Sequence, residues 1–380
     1  MLNRLYIHIP FCQHKCPYCA FVSRAGHEQH IGNYVEMLIT EMQLASSSCK
    51  PARPLDSAYF GGGTPSLLTP AQAESILDSA SMIWGLSPQA EITLETNPGT
   101  VTFDKLAGFH HCGINRLSIG VQSFDDLMLS KLGRIHSAQQ AHDAFVAARK
   151  AGFENIGIDL IHTLPGQTMA MWQSDLQQAL CLNPEHISVY GLTIEDGTPF
   201  AEQYEDESAL PDDDASADMF ETADAVLTAA GYTHYEIANY ARPGFHAGHN
   251  SGYWQREGYL GLGAGAHSLL LDTPYGTRFS NTTDIDAYCA AISSGKLPRQ
   301  DLHQLSRQDA ISEHIFLGLR MADGISFRRF EELFCVGLDE VYSKEIEKLT
   351  AQGLLVQSCG NLRLSLRGML LSNQVFSAFI

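Results

Sequence analysis

Ile7-His8-Ile9-Pro10-Phe11-Cys12-Gln13-His14-Lys15-Cys16-Pro17-Tyr18-Cys19 decides how the rest of the chain is read. Leu5–Ile9 reads as a strand, and Cys12-x-x-x-Cys16-x-x-Cys19 puts three thiols in the loop that follows. A loop with three close thiolates can wrap one face of a metal centre, and Cys16-Pro17-Tyr18-Cys19 supplies a turn between ligands. A 4Fe-4S cluster usually takes four cysteines, so three leave one iron open to a small chelator. The alternatives on these residues alone are a zinc site borrowing His8 or His14, or a C-x-x-C redox pair. The spacing, at a first-strand loop and with a glycine run after the second strand, fits them less well.

The remaining cysteines (49, 112, 181, 289, 335 and 359) show no paired spacing and read as core fillers or incidental thiols. Nine cysteines, an odd number, do not suggest a secreted disulfide framework. With no apolar run near the roughly 18 residues that cross a bilayer, and no signal-peptide pattern at the start, a reducing, cytoplasmic location is expected. The net charge of −19 disfavours a nucleic acid or an anionic membrane as bulk partner. The densest acidic block, Glu202 through Glu205, Asp206 and Glu207 to Asp212–Asp214, reads as a solvated loop. At 380 residues the chain has room for two domains.

Outward from the cysteines, short apolar runs alternate with amphipathic helices. Strands are expected at Ser57–Phe60, Glu91–Glu95, Arg116–Ile119, Asn155–Leu160 and His186–Tyr190. A first helix would bury Ile31, Tyr34, Val35, Leu38 and Met42, and capping boxes at Thr69/Gln72 and Ser137/Gln140 start two others. This rhythm implies parallel strands covered by helices, as a partial (β/α)6 barrel or an open sheet, with the ligand site at the carboxyl ends of the strands. Those ends carry Cys12, Gly61–Thr64, Glu95, Gln122 and Asp159. From about residue 300 three helices and a hairpin around Cys359-Gly360-Asn361 suggest a small winged-helix-like α+β domain. The expected division is 1–240 barrel, 241–300 connecting segment and 301–380 terminal domain. The acidity of the chain argues against DNA binding by that last domain.

Ile7-His8-Ile9-Pro10-Phe11-Cys12, the triad, and Phe60-Gly61-Gly62-Gly63-Thr64-Pro65 resemble the radical S-adenosylmethionine (SAM) proteins of the HemN/HemW group, a likeness that runs over essentially the whole chain. The resemblance implies a radical SAM partial barrel with a 4Fe-4S cluster on Cys12, Cys16 and Cys19. It implies that Tyr6, Gly62, Glu95, Gln122, Arg134 and Asp159 contact the SAM on that cluster. Tyr18, Gly63 and Thr64 match positions that hold a second SAM in the HemN branch. Carboxylates suit a sulfonium, amino group or ribose hydroxyls, and an arginine suits the SAM carboxylate.

His249-Asn250-Ser251-Gly252-Tyr253-Trp254 resembles the H-N-x-x-Y-W signature of the HemW branch, which implies haem at His249 with Tyr253 and Trp254 shaping the pocket. His246 and His267 are the nearby alternatives. Coproporphyrinogen dehydrogenases of the HemN branch carry a further cysteine where this chain has Phe21, and a long extension before the first strand. Ala20 departs from the acidic residue common in HemW. The expectation is a haem chaperone that delivers haem to a respiratory haem protein, docking peripherally at the inner membrane surface, with a homodimer as a further expectation. The alternative is an oxygen-independent coproporphyrinogen III dehydrogenase; a cluster-bearing DNA regulator is a remote third.

Overall fold

The computed structural model describes residues 2–206 and 209–379; Glu207 of the acidic block lies outside them. Six strands, β1 (Arg4–Ile9), β2 (Leu55–Gly62), β3 (Leu86–Thr96), β4 (Arg116–Gln122), β5 (Asn155–His162) and β6 (His186–Gly191), pair in parallel in chain order. Helices fill the crossovers: α1 (Ile31–Ala45), α2 (Pro70–Trp84), α3 (Phe103–His111), α4 (Asp126–Lys131), α5 (Ala138–Lys150) and α6 (Met169–Leu182). The expected apolar stripe of α1 is buried. Both capping boxes form, so two backbone donors at each start are satisfied by side chains. The strands run one to five residues beyond the apolar runs that announced them, because backbone pairing continues where side chains turn polar at the site.

The period of two divides the strands cleanly. Leu5, Ile7, Ile9, Ala58, Phe60, Ile92, Leu94, Leu117, Ile119, Ile156, Ile158 and Ile187 are buried in the main core. The alternate set, beginning Arg4, Tyr6 and His8 on β1 and Ser57 and Tyr59 on β2, is polar and faces the opposite side, into the lumen of the curved sheet. A helix pair follows, α7 (Pro199–Gln203) and α8 (Asp213–Ala229), and then the antiparallel strands β7 (Thr233–Glu236) and β8 (Asn239–Ala241) close one edge.

The stretch 241–300, expected as a connecting segment, is part of the sheet. After helix α9 (Gly248–Trp254), β9 (Tyr259–Leu262) pairs in parallel with β1 on the side away from β2. Antiparallel β10 (His267–Leu270), β11 (Thr277–Asn281) and β12 (Arg299–Gln304) extend it. Among the described residues the sheet has twelve strands, in the order β12-β11-β10-β9-β1-β2-β3-β4-β5-β6-β8-β7. Glu41 of α1 fastens this extension: it is 2% exposed and accepts from Gly263 N (2.8 Å), Asn281 Nδ2 (2.6 Å) and Tyr288 Oη (2.6 Å). Pattern alone hid this role, since a charged residue on a helix reads as solvated.

The terminal domain has its own core. Helix α10 (Ile285–Ser293) still packs in the main core beside α1; α11 (Arg307–Gly318), α12 (Phe327–Phe334) and α13 (Leu338–Ala351) belong to the terminal domain, with a small sheet of β13 (Ile325–Ser326), β14 (Leu355–Ser358) and β15 (Asn361–Leu364). Cys359 and Gly360 both take positive φ in the hairpin turn. Among the described residues no helix is long and apolar enough to cross a membrane.

Candidate functional site

The cysteine loop leaves β1 and is pinned at both ends. Phe11–Cys12 pairs with Arg24–Ala25, and the turn closes through Cys19 N to Cys16 O (3.1 Å). Cys12 and Cys16 are buried and Cys19 is half-buried. Burial, together with the neighbouring Cys16 and Cys12, pushes the Cys19 thiol up; three thiols this close want a cationic centre between them. Thr64 Oγ1 donates to Cys12 Sγ (3.5 Å) and Arg134 Nη1 to Cys16 Sγ (3.6 Å). A Cβ on Gly63 would stand 2.7 Å from Phe11 O and 3.0 Å from Cys12 Sγ. The glycine run is therefore what lets the loop lie against the end of β2.

Both ring nitrogens of His8 are engaged, Nδ1 with Tyr6 Oη (3.0 Å) and Nε2 with Val22 O (2.8 Å). His14 is exposed. Among the described residues no three His, Cys, Asp or Glu side chains converge as ligands of one ion.

Over the strand ends lies a cleft of about 490 Å³. Its lining contains Tyr18, Cys19, Gly62, Gly63, Thr64, Glu95, Gln122, Arg134 and Asp159, so every SAM position expected from the sequence is here except Tyr6. Tyr6 lies one layer down, stacked on Tyr59 at 6.2 Å. Gln122 reaches the cleft through a register break in β4 and a left-handed backbone (φ 68°) that few residues other than glycine adopt. Arg134 donates through Nη2 to Gly120 O (2.9 Å), while its buried Nε has no partner among the described residues. That free donor fits a ligand carboxylate.

Two carboxyls form the floor. Glu95 accepts from Tyr59 Oη (2.7 Å), and burial pushes its pKa up to about 7, with Asp159 adding to the rise. Asp159 accepts from Ser118 Oγ through both oxygens (3.2 and 3.1 Å) and is likewise raised by burial. Raised carboxyls beside open space are suited to a ligand that brings positive charge. Tyr59 and Ser118 were not singled out in the sequence. The signal was there in the alternation of polar residues along strands whose other face is apolar.

The histidine of the H-N-x-x-Y-W stretch is elsewhere. Helix α9 plugs the opposite, amino-terminal end of the lumen. Glu91 caps it by accepting from Gly248 N (2.9 Å) and His249 N (2.8 Å). His249 is 0% exposed. Its Nδ1 meets Ser57 Oγ (2.8 Å), its Nε2 meets Tyr253 Oη (2.7 Å), and its ring stacks on Tyr59 at 5.0 Å. Ser57 Oγ also accepts from Arg4 Nη1 (3.3 Å), so both ring nitrogens of His249 are held in one buried network. Burial holds the ring neutral, its pKa well below the usual value. In this arrangement His249 has no nitrogen free for iron. Trp254 lies under the Arg320 guanidinium at 4.6 Å, toward the terminal domain. His246, stacked on Tyr235 at 4.2 Å, and His267 are both exposed.

A cysteine triad at the carboxyl end of the first strand, beside a glycine-lined cleft in a curved parallel sheet, defines the radical SAM architecture. Comparison agrees: residues 6–179 match the model of the radical SAM superfamily and 305–371 that of the HemN C-terminal domain. The chain is 38% identical to the heme chaperone HemW of Lactococcus lactis, covering 100% of this chain and 97% of that protein. It is 37% identical to Escherichia coli HemW (99% and 97%), and 35% identical to the mouse mitochondrial radical S-adenosyl methionine domain-containing protein 1 (96% and 84%). The solved structure of Escherichia coli coproporphyrinogen III oxidase HemN superposes with a TM-score of 0.86 at 24% identity, covering 100% of this chain and 90% of that one, and so shares the fold. The chain belongs to the HemW family of radical SAM proteins.

Proposed function

We propose that the protein is a radical SAM haem chaperone, which binds haem and passes it to a respiratory haem protein. The observation that carries this reading is full-length identity to proteins named heme chaperone HemW. Cys12, Cys16 and Cys19 would hold a 4Fe-4S cluster, whose open iron supplies a place for the amino and carboxylate groups of SAM. Around it Arg134 orients the carboxylate, Glu95 and Asp159 balance the positive charge, Gln122 offers an amide to the ribose or base, and the backbone at Gly62–Thr64 lies close along the ligand. A peripheral encounter with the membrane-bound recipient and a homodimer belong to the same proposal.

Haem at His249 requires more than a vacant pocket, because α9 has to leave the lumen or the ring has to give up Tyr253. The test is a haem titration of anaerobically reconstituted protein beside a coproporphyrinogen III assay on the same sample. Saturable haem binding without porphyrinogen turnover is the expected result. Turnover to the divinyl product would move the protein to the oxidase reading, which the HemN fold accommodates but Phe21, in place of a further cysteine, disfavours.

A further inference from the structure

Beneath the cleft the lumen contains a cation that none of the contacts above employs. Arg116 opens β4 and is 2% exposed. It lies one inward step below Ser118. In register, Arg116 stands beside Thr93 of β3 and Asn155 of β5, while Ser118 stands beside Glu95 and Gly157. Arg116 Nε, Thr93 Oγ1 and Asn155 Oδ1 are all buried without a hydrogen-bond partner among the described residues. The ion pairs found among those residues do not include Arg116, whereas the buried Arg4 at the same end of the lumen is paired with Glu257 (2.7 Å). Burying an unpaired guanidinium is costly, so something in the site must offset it. Gly157 supplies the room: a Cβ there would approach Arg116 Nη2 to 3.4 Å and His186 Nδ1 to 3.3 Å.

The compensating charges lie above. Ser118, the next lumen residue of the same strand, bonds both oxygens of Asp159 and is level with Glu95. We propose that Arg116 is a positioning residue for the cleft: a fixed positive charge under its floor that favours joint ionisation of Glu95 and Asp159, so that the cleft accepts a cationic ligand. This rests on the reading of the cleft as the SAM site. Both carboxyls are raised by desolvation, Asp159 adds to the rise at Glu95, and Arg116 opposes the rise at both. It is not itself an anion site, because Arg116 does not line the cleft and both carboxylates stand between it and any anion entering there.

The other groups facing the pair do not titrate near neutrality. Tyr6 of β1, Tyr59 of β2 and Tyr253 of α9 are pushed above their usual range by burial, and Tyr190 of β6, 42% exposed at the cleft, is raised as well. Arg134 stays charged and His186 and His249 stay neutral. A midpoint near neutral pH therefore belongs to the carboxyls.

The experiment is SAM binding to the cluster-reconstituted full-length protein, by anaerobic equilibrium dialysis between about pH 6 and pH 9. Wild-type affinity is expected to rise with pH, with a midpoint near the Glu95 value of about 7. In Arg116→Met the midpoint moves up. A one-unit move drops the ionised fraction at pH 7 from a half to about one-eleventh, about a five-fold loss of affinity that is recovered by about pH 9. Arg116→Lys keeps the wild-type profile. If Arg116→Met does not accumulate as folded protein, Arg116→Gln keeps a polar group in the lumen and makes the same measurement. An equal loss at every pH, or no change, overturns the proposal. Unimpaired SAM binding by both Glu95→Gln and Asp159→Asn would instead overturn the SAM reading of the cleft, whatever Arg116 does.

Discussion

Tyr253→Phe puts the haem assignment to a direct test. The substitution deletes one oxygen, the Oη that lies 2.7 Å from His249 Nε2, and keeps the ring that meets the imidazole edge-on at 4.9 Å. If haem is taken by Nε2, the wild-type protein must first break this buried hydrogen bond, whose net worth is about 1 kcal/mol. Without it the haem-free state is raised by about that amount and the haem-bound state is not. Haem affinity should then increase about five-fold. The haem-free fold should lose the same amount, about 1 kcal/mol, because the buried Nε2 is left without its partner. The assay is a titration followed in the Soret band, with urea unfolding of the haem-free protein run in parallel and His249→Ala as control. An affinity that is unchanged or weaker in Tyr253→Phe, with the unfolding loss present, would refute ligation through Nε2 and turn attention to the exposed His246 and His267.

Other perturbations follow from single contacts. Gly252→Ala would set a methyl 1.8 Å from Arg4 Nε, forcing Arg4 off Glu257; a loss of about 3 kcal/mol in urea unfolding is expected, and a silent substitution would mean that α9 does not sit on Arg4. Gly63→Ala should cut the iron retained per chain after reconstitution while leaving the secondary structure unchanged, since its Cβ meets Phe11 O, Cys12 Sγ and Ile9 O where the cysteine loop leaves β1. Glu95 has a folded pKa raised from 4.5 to about 7, so it stabilises the ligand-free fold fully below about pH 4.5, and that contribution is lost as pH rises through 7. Glu95→Gln should remove this slope, gaining up to about 3 kcal/mol at neutral pH and losing SAM affinity; an unchanged pH profile of stability would contradict the raised value.

The parts of this protein that alternate were legible, and the parts that fold back were not. Cys12, Cys16 and Cys19 fall on one loop, and Glu95 and Asp159 fall at strand ends, so the period of two and a rule about carboxyl ends were enough to bring them to one cleft. Tyr6 shares that face but points in a layer lower, and a one-dimensional pattern does not record depth. His249 was placed by a local motif that says nothing about which end of the lumen its helix enters; that depends on Glu91 capping α9, across more than 150 residues of chain. Strands β9–β12 were missed for a related reason. Their residues are short runs mixing apolar with polar and charged side chains, and the pairing of Tyr259–Leu262 with β1 is a tertiary choice.

One side chain touches both ends of the lumen. Tyr59 donates to Glu95 on the cleft side (2.7 Å) and stacks on His249 on the plug side (5.0 Å). If haem binding draws His249 away, Tyr59 loses the ring that fixes its plane, and the hydrogen bond to Glu95 is free to lengthen. Any such change alters how Glu95 meets SAM, and linkage then requires SAM to change haem affinity by the same factor. A bond worth about 1 kcal/mol limits that factor to about five. Haem dissociation constants measured with and without SAM should therefore differ in the wild type by no more than that, and should coincide in Tyr59→Phe, which keeps the stacked ring and lacks the hydroxyl. Equal coupling in the two proteins would show that the sites communicate by another route, and no coupling in either would show that α9 moves without disturbing Tyr59.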